Sequence, residues 1–401
     1  MTGAVTGAGT TLDLARDTIF VTLAGSQAHG TAREGSDVDL RGVCVAPLAL
    51  RVSLFSQFEQ HEGALDGAAG LWDAILPRLR AHETARLGLS VKTESVVYDV
   101  AKFLGLCAAA NPNALEILFA DPRDWVHETP AWQRLYGARH AFLSRKVQQT
   151  YLGYAMAQLK KIRSHRGWLL SPPEKKPTRE DFGLTGTSAM SADELNRIEQ
   201  SIADRVRTYG IETLEMPRPL RAALHERLLR LFCDVLVADE GDLEARLRDV
   251  AIAGLRLPEG VTSVLAAERK YRTAQRQWES YLAWKAERNP ARAELERAHG
   301  YDTKHAMHLL RLMQTGLELL QTGELRVRRA NADELRAVRD GALSFDELVA
   351  RARALEEAMR EAAERSTLPA DVDPRFVDEL LVELVSLRLP KAKAPPGPAS
   401  R

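Results

Sequence analysis

The chain of 401 residues lacks most of the features that mark secreted or membrane-bound proteins. Its three cysteines, Cys44, Cys107 and Cys233, lie far apart without a Cys-x-x-Cys pair, which excludes a disulfide framework and a cysteine-rich zinc site. No apolar run approaches the roughly 18 residues of a membrane span, and no basic start followed by an apolar stretch indicates a signal peptide. We therefore expect a cytoplasmic protein that has no membrane partner.

An excess of charge of either sign is also missing, because the chain has 55 lysines and arginines and 55 aspartates and glutamates. This balance removes the simplest argument for a nucleic-acid-binding protein, although the local charge varies. Residues 139–180 contain ten basic and two acidic residues, whereas residues 331–385 contain seven basic and 14 acidic residues. The basic segment is a candidate nucleic-acid surface, and the alternative is chance variation between solvated helical faces.

The remaining composition, with 45% hydrophobic and 27% charged residues, is typical of a globular protein of two or three domains. The β-rich runs at 18–24 and 38–46 predict two strands, and Ser90–Val97 predicts a third. An irregular stretch of about 40 residues around Trp72 and Pro77 is expected to carry a helix over the sheet.

Helical periodicity dominates from Tyr98 onward. It is interrupted by a loop rich in proline and glycine at 171–187, and it resumes with a capping-box pattern at 191–194. We predict an α+β fold in which a small mixed-sheet domain is followed by a large, mainly helical domain. The predicted domains are residues 14–122 and 123–390, with flexible tails at 1–13 and 391–401.

The residues that carry chemistry lie in the segment 23–40. Asp37 and Asp39 are two positions apart in a strand-like stretch, so both side chains project from one face. Their mutual repulsion is relieved when a divalent cation lies between them, and carboxylates on a rigid strand suit Mg²⁺. Upstream, Gly25-Ser26 follows a strand directly, where close backbone approach and adjacent amides suit phosphate oxygens. The alternative is a capped turn in which Ser36 and Asp37 bond backbone amides and Asp39 is merely exposed.

This pattern resembles the signature of the DNA polymerase β superfamily of nucleotidyltransferases: an apolar residue, Gly and Ser, ten intervening residues, and an Asp-x-Asp pair. More specifically, the chain resembles the RNA repair pathway branch of that superfamily. The likeness covers roughly residues 18–325 and includes the sequences GSQAHGTA, SDVDLRGV, NPNALE, KPTREDFGL and GYDTKHAMH.

The resemblance implies nucleotidyl transfer assisted by two Mg²⁺ ions, with Mn²⁺ as the alternative cation. Asp37 and Asp39 would hold the ions, and a third carboxylate on the neighbouring strand would complete the site. Glu94 is the predicted third carboxylate, at a position where the family usually has Asp, and Asp99 is the fallback. The competing interpretation of Glu94 is a solvated residue at the start of a strand. The predicted nucleotide-binding residues of this motif are Gly25, Ser26 and Ser36.

A second candidate group, Lys304, His308 and Arg311, shares one face of a predicted helix. We predict that it clamps the triphosphate or a substrate phosphate, with Lys304 as a point charge and Arg311 as a planar fork. A solvated helix face is the alternative. His305 with His308 lacks both the spacing and the intervening carboxylate of a zinc-protease pair.

The basic segment supplies the predicted nucleic-acid contacts, because its cations would neutralise backbone phosphates. The flanking Tyr151, Tyr154 and Trp168 would stack on bases unless they belong to the core. His29 either approaches the nucleotide or stabilises its turn. The predicted nucleic-acid-binding residues are Lys160, Lys161, Arg163, Arg166, Lys176 and Arg179.

The predicted function is transfer of a nucleotidyl group from an NTP to a hydroxyl acceptor, with release of pyrophosphate. An RNA end is the expected acceptor. Two alternatives stay open: AMP transfer to a protein hydroxyl, and a non-catalytic nucleotide-binding module. The intact pair Asp37 and Asp39 argues against the non-catalytic alternative, and the basic segment favours RNA over protein.

Overall fold

The computed structural model describes residues 6–7, 10–53, 58–88, 93–184, 259–286 and 290–387, together with residues 197, 200 and 204. The predicted helix start at 191–194 and the predicted tail at 391–401 lie outside the described residues. Among the helices in these ranges, none combines the length and the apolar character needed to cross a membrane.

A five-stranded mixed sheet forms the centre of the N-terminal region. The strands within the described residues are β1 (Thr6–Gly7), β2 (Thr10–Thr11), β3 (Thr18–Leu23), β4 (Val38–Cys44), β5 (Gln60–Gly63), β6 (Thr93–Asp99) and β7 (Trp125–Glu128). β1 and β2 form a separate antiparallel pair, and the order across the large sheet is β5-β6-β4-β3-β7. β4 and β6 run parallel, whereas the other neighbours are antiparallel. The predicted mixed sheet is confirmed, and the predicted third strand is β6, shifted toward its C-terminus.

Helices account for most of the remaining described residues, which confirms the α+β class. The helices of the first half are α1 (Leu14–Asp17), α2 (Gly25–His29), α3 (Leu48–Arg51), α4 (Ala69–Ala81), α5 (Ala85–Gly88), α6 (Val100–Ala108), α7 (Pro112–Leu118), α8 (Pro130–Gly137) and α9 (Val147–Leu170). The described helices of the second half are α10 (Glu259–Ala286), α11 (Pro290–His299), α12 (Thr303–Thr322), α13 (Ala332–Arg339), α14 (Phe345–Arg365) and α15 (Pro374–Ser386).

Side-chain caps fix the starts of the helices that later form the site. The Asn111 side chain accepts hydrogen bonds from the Asn113 and Ala114 N–H groups at the start of α7. The Asp302 carboxylate accepts one from the His305 N–H at the start of α12. Each cap satisfies an amide that the first helical turn leaves without an intrahelical partner, so the local sequence sets where these helices begin.

Both faces of the sheet are covered, and each face has its own apolar core. Helix α4 packs Leu71, Ile75 and Leu79 against the face that carries Leu40 and Val97, as expected for a helix over the sheet. The opposite face meets a larger core built from α6 to α9 and from the helices after α11. Alternate residues of β4 therefore point toward different helical layers, and the odd-numbered ones point toward α7, α9 and α12.

A close approach between helices supports the larger core. At Gly316 on α12, an added Cβ would lie 3.0 Å from the Cβ of Tyr151 on α9 and 2.8 Å from the Cε of Met359 on α14. The absence of a side chain at this position lets the three helices pack closely. Because Tyr151 is fully buried here, it belongs to the core.

The chain divides into two compact units, Met1–Leu169 with Glu294–Arg401, and Leu170–Ala293. The sheet and helices α1 to α8 and α12 to α15 belong to the first unit. The predicted domain boundary at residue 122 falls inside this unit and stays a prediction. In the second unit, α10 contacts the short 3₁₀ turn Glu180–Phe182.

Candidate active site

The carboxylates predicted from the sequence meet where β4 and β6 begin. Asp39 on β4 is the direct register partner of Glu94 on β6 in the parallel ladder. Paired residues of neighbouring strands lie about 5 Å apart and project from the same face. Asp37 is exposed and lies immediately before β4, and Glu94 is also exposed. The three carboxylates therefore gather at one end of two adjacent strands.

Gly25 brings the backbone of the Gly-Ser motif against this group. It has φ of +59°, and a Cβ at this position would overlap the Asp39 carboxylate. The Ala24 N–H donates to the Asp39 carbonyl oxygen at 2.8 Å, which locks the end of β3 beside β4. Ser26 follows in the first turn of α2. Glycine is thus required here both by its conformation and by the close approach.

The loop that joins α2 to β4 is held by a turn and by the C-terminal part of the chain. The Ser36 hydroxyl accepts a hydrogen bond from the Arg33 N–H at 2.8 Å, which stabilises the turn before Asp37. Arg336 donates to the Gly30 carbonyl oxygen at 2.5 Å, and Arg33 forms an ion pair with Asp340 at 2.5 Å. Segment 336–340 therefore fixes the loop that precedes Asp37 and Asp39.

Asp99, the fallback for the third carboxylate, lies on the other face of β6. Its carboxylate accepts hydrogen bonds from the Ala46 and Ala101 N–H groups, at 3.2 and 2.9 Å, and lies 3.5 Å from the Arg51 side chain. Burial raises the pKa of Asp99, against the opposing effect of Arg51. Asp99 caps α6 and is turned away from Asp39, which leaves Glu94 as the carboxylate on the correct face.

A pocket of about 450 Å³ lies beside the Gly-Ser motif on the face of the sheet that carries Asp39. Arg41 and Tyr98 line it from β4 and β6, and Lys161 lines it from α9. Its other polar lining residues are His29 on α2, Asn113 and Glu116 on α7, Tyr154 and Gln158 on α9, and His305, His308 and Arg311 on α12. The pocket is large enough for much of a nucleotide, and it has several hydrogen-bond donors.

The inner wall of the pocket contains a buried ion pair that joins three distant segments. Glu116 lies 2.9 Å from His29 Nε2, and it accepts a hydrogen bond from Arg311. Burial alone would raise the pKa of Glu116, but Arg311 and His29 outweigh it and hold this pKa well below its usual range. Burial and the charge of Arg311 lower the pKa of His29, so His29 is neutral and donates to Glu116. His29 therefore stabilises the turn from which it comes.

The three residues of the predicted phosphate clamp on α12, Lys304, His308 and Arg311, differ in exposure and in their distance from the pocket. Lys304 is exposed and is not among the residues lining the pocket, whereas His308 and Arg311 both line it. Burial and the Arg311 charge hold the pKa of His308 well below its usual range, so this imidazole is neutral at pH 7. Arg311 is 5% exposed and already paired with Glu116. Its charge organises the wall of the pocket.

The predicted nucleic-acid-binding residues also occupy different environments. Lys160, Lys161 and Arg163 are exposed on α9, and Lys161 lines the pocket. Arg166 donates to the Gly300 carbonyl oxygen at 2.8 Å and lies over the Phe345 ring. In the second unit, Lys176 is exposed, whereas Arg179 forms an ion pair with Glu268 at 2.9 Å. Lys160, Lys161, Arg163 and Lys176 are thus the cations best placed to meet an external phosphate.

Two charged residues of the pocket wall, Arg41 and Glu116, were not predicted from the sequence as site residues. Arg41 follows Asp39 by two positions on β4, so the alternation of the strand could have placed both on one face. Its guanidinium lies 3.7 Å from the Asp39 carboxylate. Glu116 belongs to the NPNALE segment, but its partner Arg311 is 195 positions later, and no local pattern indicates that pairing.

A mixed sheet thus carries carboxylates at the start of two adjacent strands, next to a Gly-Ser turn and a pocket. Residues 12–169 match the model of the RNA repair pathway DNA polymerase beta family, so this segment is similar to that family. The resemblance drawn from the motifs is confirmed for this segment. Searches of curated proteins and of solved structures find no match to the chain.

Proposed function

We propose that the protein transfers a nucleotidyl group from an NTP to a hydroxyl at an RNA end and releases pyrophosphate. The observation that carries this proposal is the register of β4 and β6, which sets Glu94 beside Asp39 on the face that borders the pocket. The family of residues 12–169 supports the reaction class and RNA repair as its setting. We also propose a cytoplasmic location. The sequence has few cysteines and no disulfide pattern, as is usual for proteins of a reducing compartment.

Asp37, Asp39 and Glu94 fit divalent cations of the Mg²⁺ type. All three offer hard oxygen ligands, and the exposed positions of Asp37 and Glu94 leave room for water and phosphate oxygens. Bound ions would neutralise charge on the triphosphate and lower the pKa of the attacking hydroxyl.

The protein groups beside this site orient the nucleotide. The backbone of Gly25 and Ser26 lies close to Asp39, where its amides suit the oxygens of the triphosphate. Lys161 and Arg41 add positive charge to the pocket wall. Because Arg311 is bound to Glu116, it holds the wall in place, and Lys161 is the exposed cation for the phosphates.

The exposed cations of α9 favour RNA as the acceptor. Lys160 and Arg163 are exposed one helical turn apart on the helix that also presents Lys161 to the pocket, and cations at this spacing can contact phosphates of an RNA strand. We expect Lys160→Ala to leave the KM for NTP unchanged. In a plot of the logarithm of the RNA-binding constant against the logarithm of the salt concentration, it should reduce the slope by about one. Lys161→Ala should raise the KM for NTP by about tenfold or more, as expected for a lost charge-assisted contact.

The test of the proposal is label transfer from each of the four α-labelled NTPs in the presence of Mg²⁺, with RNA and total cell protein as acceptors. Label on RNA that disappears in Asp37→Asn/Asp39→Asn supports the proposal. Asp73→Asn, which removes an exposed carboxylate on α4, is the matched control and should retain activity. Label on protein alone would replace the RNA acceptor with a protein hydroxyl. Absence of transfer to either acceptor, with NTP binding retained, would reject the transferase.

A further inference from the structure

Two histidines and a buried aspartate converge next to the pocket, apart from the three carboxylates of the proposed active site. The nitrogen Nδ1 of His165 on α9 lies 3.1 Å from Oδ2 of Asp302. The nitrogen Nε2 of His305, in the first turn of α12, lies 3.7 Å from the same oxygen. All three potential ligand atoms lie within 4.8 Å of one another. The function proposed above does not use this group.

The surrounding structure holds the three side chains in place. Asp302 is fully buried, and its other carboxylate oxygen caps α12 through the His305 N–H at 3.1 Å. The His165 ring is stacked on Trp168, with centroids 5.4 Å apart. Arg166 bonds the Gly300 carbonyl oxygen and so fixes the turn that leads into Asp302. The convergence of the ligand atoms therefore results from packing on several sides.

The separations of the two imidazole nitrogens from the Asp302 carboxylate are compatible with a tetrahedral metal ion. Four-coordinate Zn²⁺ has bonds of about 2.0–2.1 Å, which places neighbouring ligand atoms about 3.3–3.4 Å apart. The observed separations of 3.1 and 3.7 Å lie on either side of this value. A hydrogen bond accounts for the contact of His165, but 3.7 Å is too long for one from His305. Two imidazoles and one carboxylate also form a ligand set that Zn²⁺ uses in proteins.

We propose that His165, Asp302 and His305 bind one divalent transition-metal ion, with Zn²⁺ the preferred ion. The carboxylates at β4 and β6 form a separate site for Mg²⁺, since all of their ligands are hard oxygens. Because His305 also lines the pocket, the ion lies at the pocket wall. It is positioned to bind a phosphate oxygen or a water molecule as a further ligand.

Metal binding by the full-length, metal-free protein tests this site directly. Co²⁺ is titrated first, because a four-coordinate site gives intense visible absorption, and Zn²⁺ is then added in competition with a chromophoric chelator. We expect one Co²⁺ ion per chain with the intense absorption of a four-coordinate site, and we expect Zn²⁺ to displace it. His165→Asn and His305→Asn should each weaken the affinity more than about tenfold.

Two control variants distinguish this site from metal binding elsewhere on the chain. His140→Asn removes a half-exposed histidine outside the cluster and should leave binding unchanged. Asp37→Asn/Asp39→Asn should also retain the Co²⁺ spectrum, whether or not it transfers nucleotides, so failure of the proposed function leaves this test intact. Circular dichroism and the Tm show that each variant is folded. A signal that survives both histidine substitutions, a signal lost in the Asp37/Asp39 variant, or no saturable binding would overturn the proposal.

Discussion

The buried pair of Glu116 and Arg311 provides a quantitative test of how the pocket wall is built. Glu116→Gln keeps the shape of the side chain but removes its charge. The Arg311 side chain is only 7% exposed, so the substitution leaves a guanidinium buried without its counter-charge. Breaking a buried pair from one side typically costs about 3–5 kcal/mol of unfolding free energy. We expect a loss in this range at pH 7, measured by urea denaturation.

A second substitution separates the lost charge from other effects. Arg311→Met in the Glu116→Gln background removes the uncompensated cation, so we expect it to recover most of the lost stability. The matched control is Glu383→Gln, because Glu383 pairs with Arg134 at 2.8 Å while both side chains are more than 40% exposed. This exposed pair should contribute about 0–1 kcal/mol.

The stability difference between the wild type and Glu116→Gln should also depend on pH in a predictable direction. Burial opposes ionisation of Glu116, yet Arg311 and His29 hold its pKa in the folded state well below the ordinary value of 4.5. Its contribution to stability is therefore complete above that ordinary value and is lost as the pH falls toward the folded-state pKa. The difference between the wild type and Glu116→Gln should shrink below about pH 4.5. A cost under about 1 kcal/mol at pH 7, or a difference that grows on acidification, would refute the reasoning.

Three further substitutions test the site and its support. Gly25→Ala should abolish nucleotidyl transfer because its Cβ would overlap the Asp39 carboxylate, whereas Gly35→Ala, also at positive φ but in open space, should keep most activity in the same assay. Asp99→Ala should lower stability by about 0.5–2 kcal/mol through the lost cap of α6, while the folded variant should keep its nucleotidyl-transfer activity in the same assay. Gly316→Ala should cost about 1–3 kcal/mol in urea denaturation by overpacking the core, and an unchanged stability would show that the helices move apart freely.

The sequence predicted the parts of the site that depend on local pattern. The β-rich runs predicted β3 and β4, and the structure places Asp39 on β4 and Asp37 immediately before it. The prediction that alternation sets Asp37 and Asp39 on one face rests on a strand that includes Asp37, whereas β4 begins at Val38. Glu94 was predicted from its position in the family, and the ladder sets it opposite Asp39. The bounds of β6 were shifted because Tyr98 and Asp99 continue the strand before Asp99 caps α6.

Pairings between distant segments could not be predicted in the same way. The helical period placed Lys304, His308 and Arg311 on one face, but only the tertiary structure shows that Arg311 is bound to Glu116. Similarly, Arg166 was predicted to bind nucleic acid because it lies in the basic segment, but its guanidinium donates a hydrogen bond to the Gly300 carbonyl oxygen. A local pattern shows where a charge lies along a helix, whereas its partner depends on which helices pack together.

The contact between segment 336–340 and the loop before Asp37 has a consequence for folding during synthesis. The arginine that holds the Gly30 carbonyl oxygen lies 306 positions after it in the chain. The ribosome therefore releases Asp37 and Asp39 long before the residues that position their loop. We expect this loop to reach its final conformation only after residue 340 has emerged from the ribosome.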